Sequence, residues 1–166
     1  MIKFGPKKIL IPVDFSPTSL NAVNHAAFLA ERFKSDLILL HVMKNLTDQF
    51  QVLGSVPEMK RLNGKAGKTA EKKLSELSKK IQKGYGIRSE IDVSTGSIPR
   101  EIVQVATDNK ADLIVMGTHG YSAIEEFVLG SNALSVLQLA KCPVMTIREH
   151  TNHMYSKIVV PIDLSE

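Results

Sequence analysis

The residues best equipped for chemistry lie in one stretch of sixteen, positions 117–132, which holds three glycines and two serines and no lysine or arginine. It opens Gly117-Thr118-His119-Gly120 and closes Gly130-Ser131-Asn132. Glycines at 117 and 120 let the backbone turn sharply and lie close to a ligand. Gly130 and Ser131 stand where a helix begins, and a helix N-terminus offers unpaired N–H groups and the positive end of a dipole to a phosphate. The Ser131 hydroxyl can add a hydrogen bond. Phosphate charge here must be met by backbone dipoles, hydroxyls and a bound cation, because the stretch has no cationic side chain. The same residues also read as three turn glycines and an N-cap serine, and spacing alone leaves both readings open.

Such a stretch needs a scaffold. Ile9-Leu10-Ile11-Pro12-Val13 is a continuous apolar run, the mark of a strand buried on both faces, and it stops at Asp14. Asp14 also fits a plain turn cap. Ser16-Pro17 then suits a helix start, followed by Leu20, Val23, Ala27, Ala30 and Phe33 at helical spacing. A second strand covers 37–43, and 45–57 reads as a loop. A basic helix over 60–83 carries the stripe Ala70, Leu74, Leu77, Ile81 and is ended by Gly84 and Gly86. A strand over 89–93, a helix opening at Ser97-Ile98-Pro99, a strand over 112–116, a helix over 132–139 and a strand over 144–147 complete the pattern. Strands alternating with helices predict an α/β fold, a doubly wound five-stranded parallel sheet with helices on both faces. Ligands in such sheets sit beyond the carboxyl ends of the strands, where strand order reverses. Two strand ends carry suitable chemistry: the first, at Asp14, and the fourth, at Gly117.

Composition narrows the class. The chain has 166 residues, 43% hydrophobic and 23% charged, which is globular and argues against disorder. The net charge of +4 is local: positions 60–83 hold nine Lys/Arg and two Asp/Glu. That helix contains no aromatic residue, so it reads as a solvated face and no nucleic-acid partner is expected. No apolar run approaches the roughly 18 residues of a membrane span, so no membrane partner is expected either. A single cysteine precludes an intrachain disulfide, and a cytoplasmic location is the expectation.

Gly117-x2-Gly120-x9-Gly130-Ser131 resembles the ATP-binding signature of the universal stress protein family. The likeness runs through residues 1–149 and includes Lys8-Ile9-Leu10-Ile11-Pro12-Val13-Asp14-Phe15-Ser16, Leu39-Leu40-His41-Val42, Ala111-Asp112-Leu113-Ile114-Val115-Met116-Gly117 and Cys142-Pro143-Val144. It implies the strand order 3-2-1-4-5 of a Rossmann-like fold, which sets the first and fourth strands side by side. It implies ATP as ligand, with Mg or Mn bound through the phosphates. Pro12, Val13 and Val42 match positions lining the adenine pocket, Val42 through its main chain. Asp14 matches the ribose-contacting aspartate. Met116, Gly117, Gly120, Gly130, Ser131 and Asn132 match positions around ribose and phosphates, with His119 at a variable position of the motif. A homodimer through the last strand, 144–147, is also implied.

Lys157-Ile158-Val159-Val160-Pro161-Ile162-Asp163-Leu164-Ser165 repeats Lys8 to Ser16 with five identities in nine. The expected organisation is therefore one domain over 1–149, then a linker and the first strand of a truncated second copy over 150–166, as in tandem family members.

Three function classes follow. The first is a nucleotide-dependent stress or signalling module with at most slow ATP hydrolysis, since Glu125 and Glu126 read as solvent-facing and no general base is evident. The second is a nucleotide-free dimerisation module, which would lack the glycine motif that this chain has. The third is an enzyme cleaving ATP between the α and β phosphates. Such enzymes carry a glycine- and serine-rich loop after the first strand, where this chain has Asp14-Phe15-Ser16-Pro17-Thr18. Gly64-Lys65-Ala66-Gly67-Lys68-Thr69 ends like a Walker A loop, but Leu62 stands where its first glycine is needed. His150 and His153 have no partner cluster for zinc.

Overall fold

The computed structural model describes residues 5–44, 56–118, 129–148 and 159, without the side chains of 56–63. In chain order the elements are β1 Lys8–Pro12, α1 Pro17–Phe33, β2 Asp36–Met43, α2 Val56–Tyr85, β3 Ser89–Thr95, α3 Ile98–Asp108, β4 Leu113–Gly117, α4 Ser131–Leu139 and β5 Val144–Ile147. The strands form one sheet in the order β3-β2-β1-β4-β5, every neighbouring pair parallel. Two buried clusters show helices on both faces. Ile9, Ile11, Leu37, Leu39 and Val115 pack with α1 and with Leu74 and Ile81 of α2. Leu10, Ile38, Leu40, Ile114 and Met116 pack with Ile102 and Val105 of α3 and Ala133 and Val136 of α4. Successive strand residues thus serve opposite faces, which is why the central strands read as unbroken apolar runs. Each large aliphatic side chain buried this way contributes roughly 1.5–3 kcal/mol.

Local chemistry sets the element ends. Ser16 caps α1, its hydroxyl accepting from the Ser19 N–H at 3.2 Å, and Pro17 fills the first helical position. The buried side of α1 is rich in alanine, with Ala22, Ala26, Ala27 and Ala30 beside Val23 and Leu29. Gly86 at φ +70 ends α2, its N–H on the Gln82 carbonyl at 3.0 Å. Gly84 stays inside that helix. The expected loop over 45–57 ends sooner, because α2 already includes Val56 and Pro57. Proline is well placed in a first helical turn, and Pro57 is the second residue of this helix. At the β3 edge, Glu90 and Asp92 are exposed, and their charges discourage further strand pairing.

Pro12 in a central strand has a local explanation. Lys8 accepts from the β4 side through the Asp112 N–H, so alternation turns Leu10 and Pro12 toward β4 as well. The β1–β4 register ends at Leu10 opposite Ile114. The next rung would need the N–H that Pro12 lacks, so the β1–β4 ladder stops there, at the end of the strand where proline is tolerated.

Candidate functional site

At the centre of the sheet, β1 ends before its two neighbours do. Its ladder to β2 closes with the Val13 N–H on the Leu40 carbonyl at 2.7 Å, while β2 runs on to Met43 and β4 to Gly117. The gap beyond β1 is a cleft of about 460 Å³, within the usual range for a small-molecule site. Its apolar floor includes Leu40, Met116, Ile98 and Ile102.

Alternation along β2 decides what faces this gap. Leu40 pairs toward β1, and the Met43 carbonyl takes the Gly96 N–H at 2.9 Å on the β3 side. The Val42 N–H and C=O therefore point to the β1 side, past the last rung of that ladder. One residue thus presents a hydrogen-bond donor and an acceptor side by side to the cleft.

Asp14 follows at the end of β1. Its Oδ1 accepts from the Ser16 N–H at 2.9 Å and the Ser16 hydroxyl at 2.5 Å. The turn-cap reading of Asp14 is therefore correct for one oxygen. The residue itself is exposed and lines the cleft.

The glycine-rich stretch is brought together at its two ends. The Gly130 N–H donates to the Thr118 carbonyl at 2.8 Å, and the Thr118 N–H to the Ile147 carbonyl at 3.1 Å. Gly130 is the N-cap of α4 and Ser131 its first helical residue, so the expectation of a capping serine is corrected by one position. Both types are good caps, and Gly130 holds the extended backbone (φ −61°, ψ 148°) the cap needs. The first intrahelical bond is Leu134 N–H to Gly130 C=O at 3.0 Å. Ser131, Asn132 and Ala133 consequently have no intrahelical acceptor for their N–H groups, and all three line the cleft.

Gly117 answers to a different demand. A Cβ there would stand 2.9 Å from the Thr18 carbonyl carbon and 3.0 Å from the Ser19 nitrogen. Its lack of a side chain lets the first turn of α1 lie against the end of β4.

Of the residues singled out in the sequence, Pro12, Val13, Asp14, Val42, Met116, Gly117, Gly130, Ser131 and Asn132 all line this cleft. His119 and Gly120 lie outside the described residues, as do Glu125, Glu126, His150, His153 and all of the repeat except Val159. The cleft also has residues that the sequence analysis did not select, among them Ser19, Thr118, Ala133 and Lys44. Lys44 matters most, because it brings an ammonium group to a site whose glycine-rich stretch supplies none. The signal was available: 40, 42 and 44 share one side of an extended strand.

The universal stress protein family model matches residues 5–148. The chain belongs to that family. It is 36% identical to universal stress protein MJ0531 of Methanocaldococcus jannaschii over 86% of this chain and 82% of that one. Universal stress protein MJ0577 of the same organism is 30% identical over 86% of this chain and 94% of its own length. The solved MJ0577 structure superposes with a TM-score of 0.72 at 29% identity, covering 86% of this chain and 96% of that one. More distant universal stress proteins share the fold at 22% identity. One was solved in complex with cAMP (TM-score 0.58, 87% of this chain and 98% of that one) and one from Archaeoglobus fulgidus with dAMP (TM-score 0.59, with the same coverage).

Two side features of this universal stress protein offer little chemistry of their own. Gly64 to Thr69 lies within α2, so it forms no phosphate-binding loop. Burial pushes the Cys142 thiol above its ordinary pKa, which disfavours the nucleophilic thiolate. Among the described residues, no helix is long and apolar enough to cross a membrane, and no group of three or more His, Cys, Asp or Glu could hold a metal ion.

Proposed function

We propose that the cleft binds an adenine nucleotide, ATP with Mg or Mn carried on its phosphates, and that the protein is a nucleotide-dependent stress-response module with at most slow hydrolysis. The observation that carries this is the Val42 peptide facing a cleft whose other wall is the N-terminus of α4. Adenine offers an amino donor at N6 beside an acceptor at N1, the complement of the Val42 C=O and N–H. The free N–H groups of Ser131, Asn132 and Ala133 suit phosphate oxygens. The Asp14 Oδ2 remains for ribose hydroxyls. The two fold neighbours solved with cAMP and dAMP carry ligands of this same base-and-phosphate class. With β5 at the sheet edge, the proposed homodimer forms through 144–147.

The test begins with protein purified without added nucleotide, then denatured, its released nucleotides identified by ion-pair chromatography with mass detection. Near-stoichiometric adenine nucleotide is expected. An empty protein that also fails to bind ATP with Mg²⁺ in titration calorimetry would leave the nucleotide-free dimerisation module as the surviving reading. Base choice sharpens the test. Guanine presents N1–H and O6, which reverse the pattern that Val42 matches and leave two polar pairs opposed. GTP should bind at least about thirtyfold more weakly than ATP. Equal affinities would remove the base from Val42.

Asp14→Asn separates the two duties of that carboxylate. The amide oxygen can keep the turn to Ser16, while the second oxygen becomes an NH₂ that cannot accept from a ribose hydroxyl. ATP affinity should fall about tenfold with the melting temperature unchanged. A variant that melts early but binds normally would make Asp14 a turn residue alone.

A further inference from the structure

Asp14 is presented to the cleft by a strained turn, and the supports of that turn stand outside the cleft. Phe15 has φ +67°, a conformation costly for an aromatic residue. Backbone outliers of this kind persist where surrounding contacts hold them, and they concentrate at functional sites. The Phe15 ring packs on His41 with centroids 5.0 Å apart and planes at 34°. The Lys73 ammonium of α2 lies 5.1 Å from the centre of the same ring. The His41 Nδ1 is 2.7 Å from the Val13 carbonyl oxygen. A carbonyl only accepts, so Nδ1 carries the hydrogen and donates. His41 also immediately precedes Val42. One imidazole thereby grips the residue before Asp14 by a hydrogen bond and the residue after it by ring contact.

We propose that His41 is the positioning residue of the nucleotide site, fixing the end of β1 against β2 so that the Asp14 carboxylate and the Val42 peptide keep one separation. This rests on the reading of the cleft as an adenine-nucleotide site. His41 itself does not line the cleft. It acts on the nucleoside half of a ligand through Val13 and Phe15, and neither of these contacts involves the α4 terminus that faces the phosphates.

Two substitutions divide its contacts. His41→Phe keeps a ring against Phe15 and loses the donor. His41→Asn loses the ring and keeps an N–H donor near the Nδ1 position. In calorimetry with Mg²⁺, His41→Phe should weaken ATP about tenfold while leaving inorganic triphosphate within about twofold, and His41→Asn should return ATP to within about threefold of the parent chain. The proposal is overturned if His41→Phe binds ATP normally, if it loses ATP and triphosphate equally, or if His41→Asn does no better. A third readout needs neither ligand nor variant. The ring ¹⁵N shifts of the unsubstituted protein at alkaline pH should show the Nδ1–H tautomer. An Nε2–H tautomer overturns the inference and leaves the cleft reading standing. A parent chain that binds no adenine nucleotide overturns both.

Discussion

Gly130→Val should lower ATP affinity by at least about a hundredfold, equivalent to roughly 3 kcal/mol of phosphate contact. The backbone at 130 lies at φ −61° and ψ 148°, where any L-residue is comfortable, so glycine is not there for its conformational freedom. Its value is the missing side chain. It sits at the cleft wall directly before the three residues whose N–H groups lack intrahelical partners, and an isopropyl group there would hold phosphate oxygens away from them. Valine is also a poorer N-cap, which should cost about 1 kcal/mol and about 2–4 °C of melting temperature. Thermal melts and calorimetry on the same preparation check both figures. A variant that binds ATP as the parent does would return the Gly130-Ser131-Asn132 segment to plain turn chemistry.

The scaffold was legible because its central strands are buried on both faces. Ile9, Leu10 and Ile11 in β1 and Leu37 to Leu40 in β2 are consecutive buried apolar residues, and such runs are plain in a sequence. Boundaries were less legible where one residue type suits two roles. Pro57 marks a loop as readily as a helix start, and Gly130 competes with Ser131 for one cap. Cleft-lining residues were visible when their own segment announced them, as Asp14 and the glycine-rich ends did. Lys44 was hidden because its relevance depends on which strands end together, although its spacing from Val42 gave its side of β2. The Val42 peptide was harder still. No side chain signals it, and its two polar groups face the cleft only because β1 stops at Pro12 while β2 continues. The sequence likeness named the main chain at that position; the sheet register supplies the physical reason.

Gly117→Ala should do the opposite of Gly130→Val, striking the fold first. The added methyl would meet backbone, 2.9 Å from the Thr18 carbonyl carbon and 3.0 Å from the Ser19 nitrogen, with the Thr18 Oγ1 also at 3.0 Å. Those atoms cannot yield cheaply. They belong to the first turn of α1, which is held by the Ser16 cap and, through Ser16, by the Asp14 carboxylate. Overpacking of this sort costs about 2 kcal/mol, or about 4–8 °C in a domain of this size. The strain also has a direction. Pushing α1 away from β4 pulls on the Asp14–Ser16 turn, so the adenosine part of a ligand should lose affinity while inorganic triphosphate, held by α4, loses little. Thermal melts with calorimetry on both ligands give the result. An alanine variant melting within about 1 °C of the parent would show that β4 and α1 can separate freely, and the close approach at Gly117 would then have no part in shaping the site.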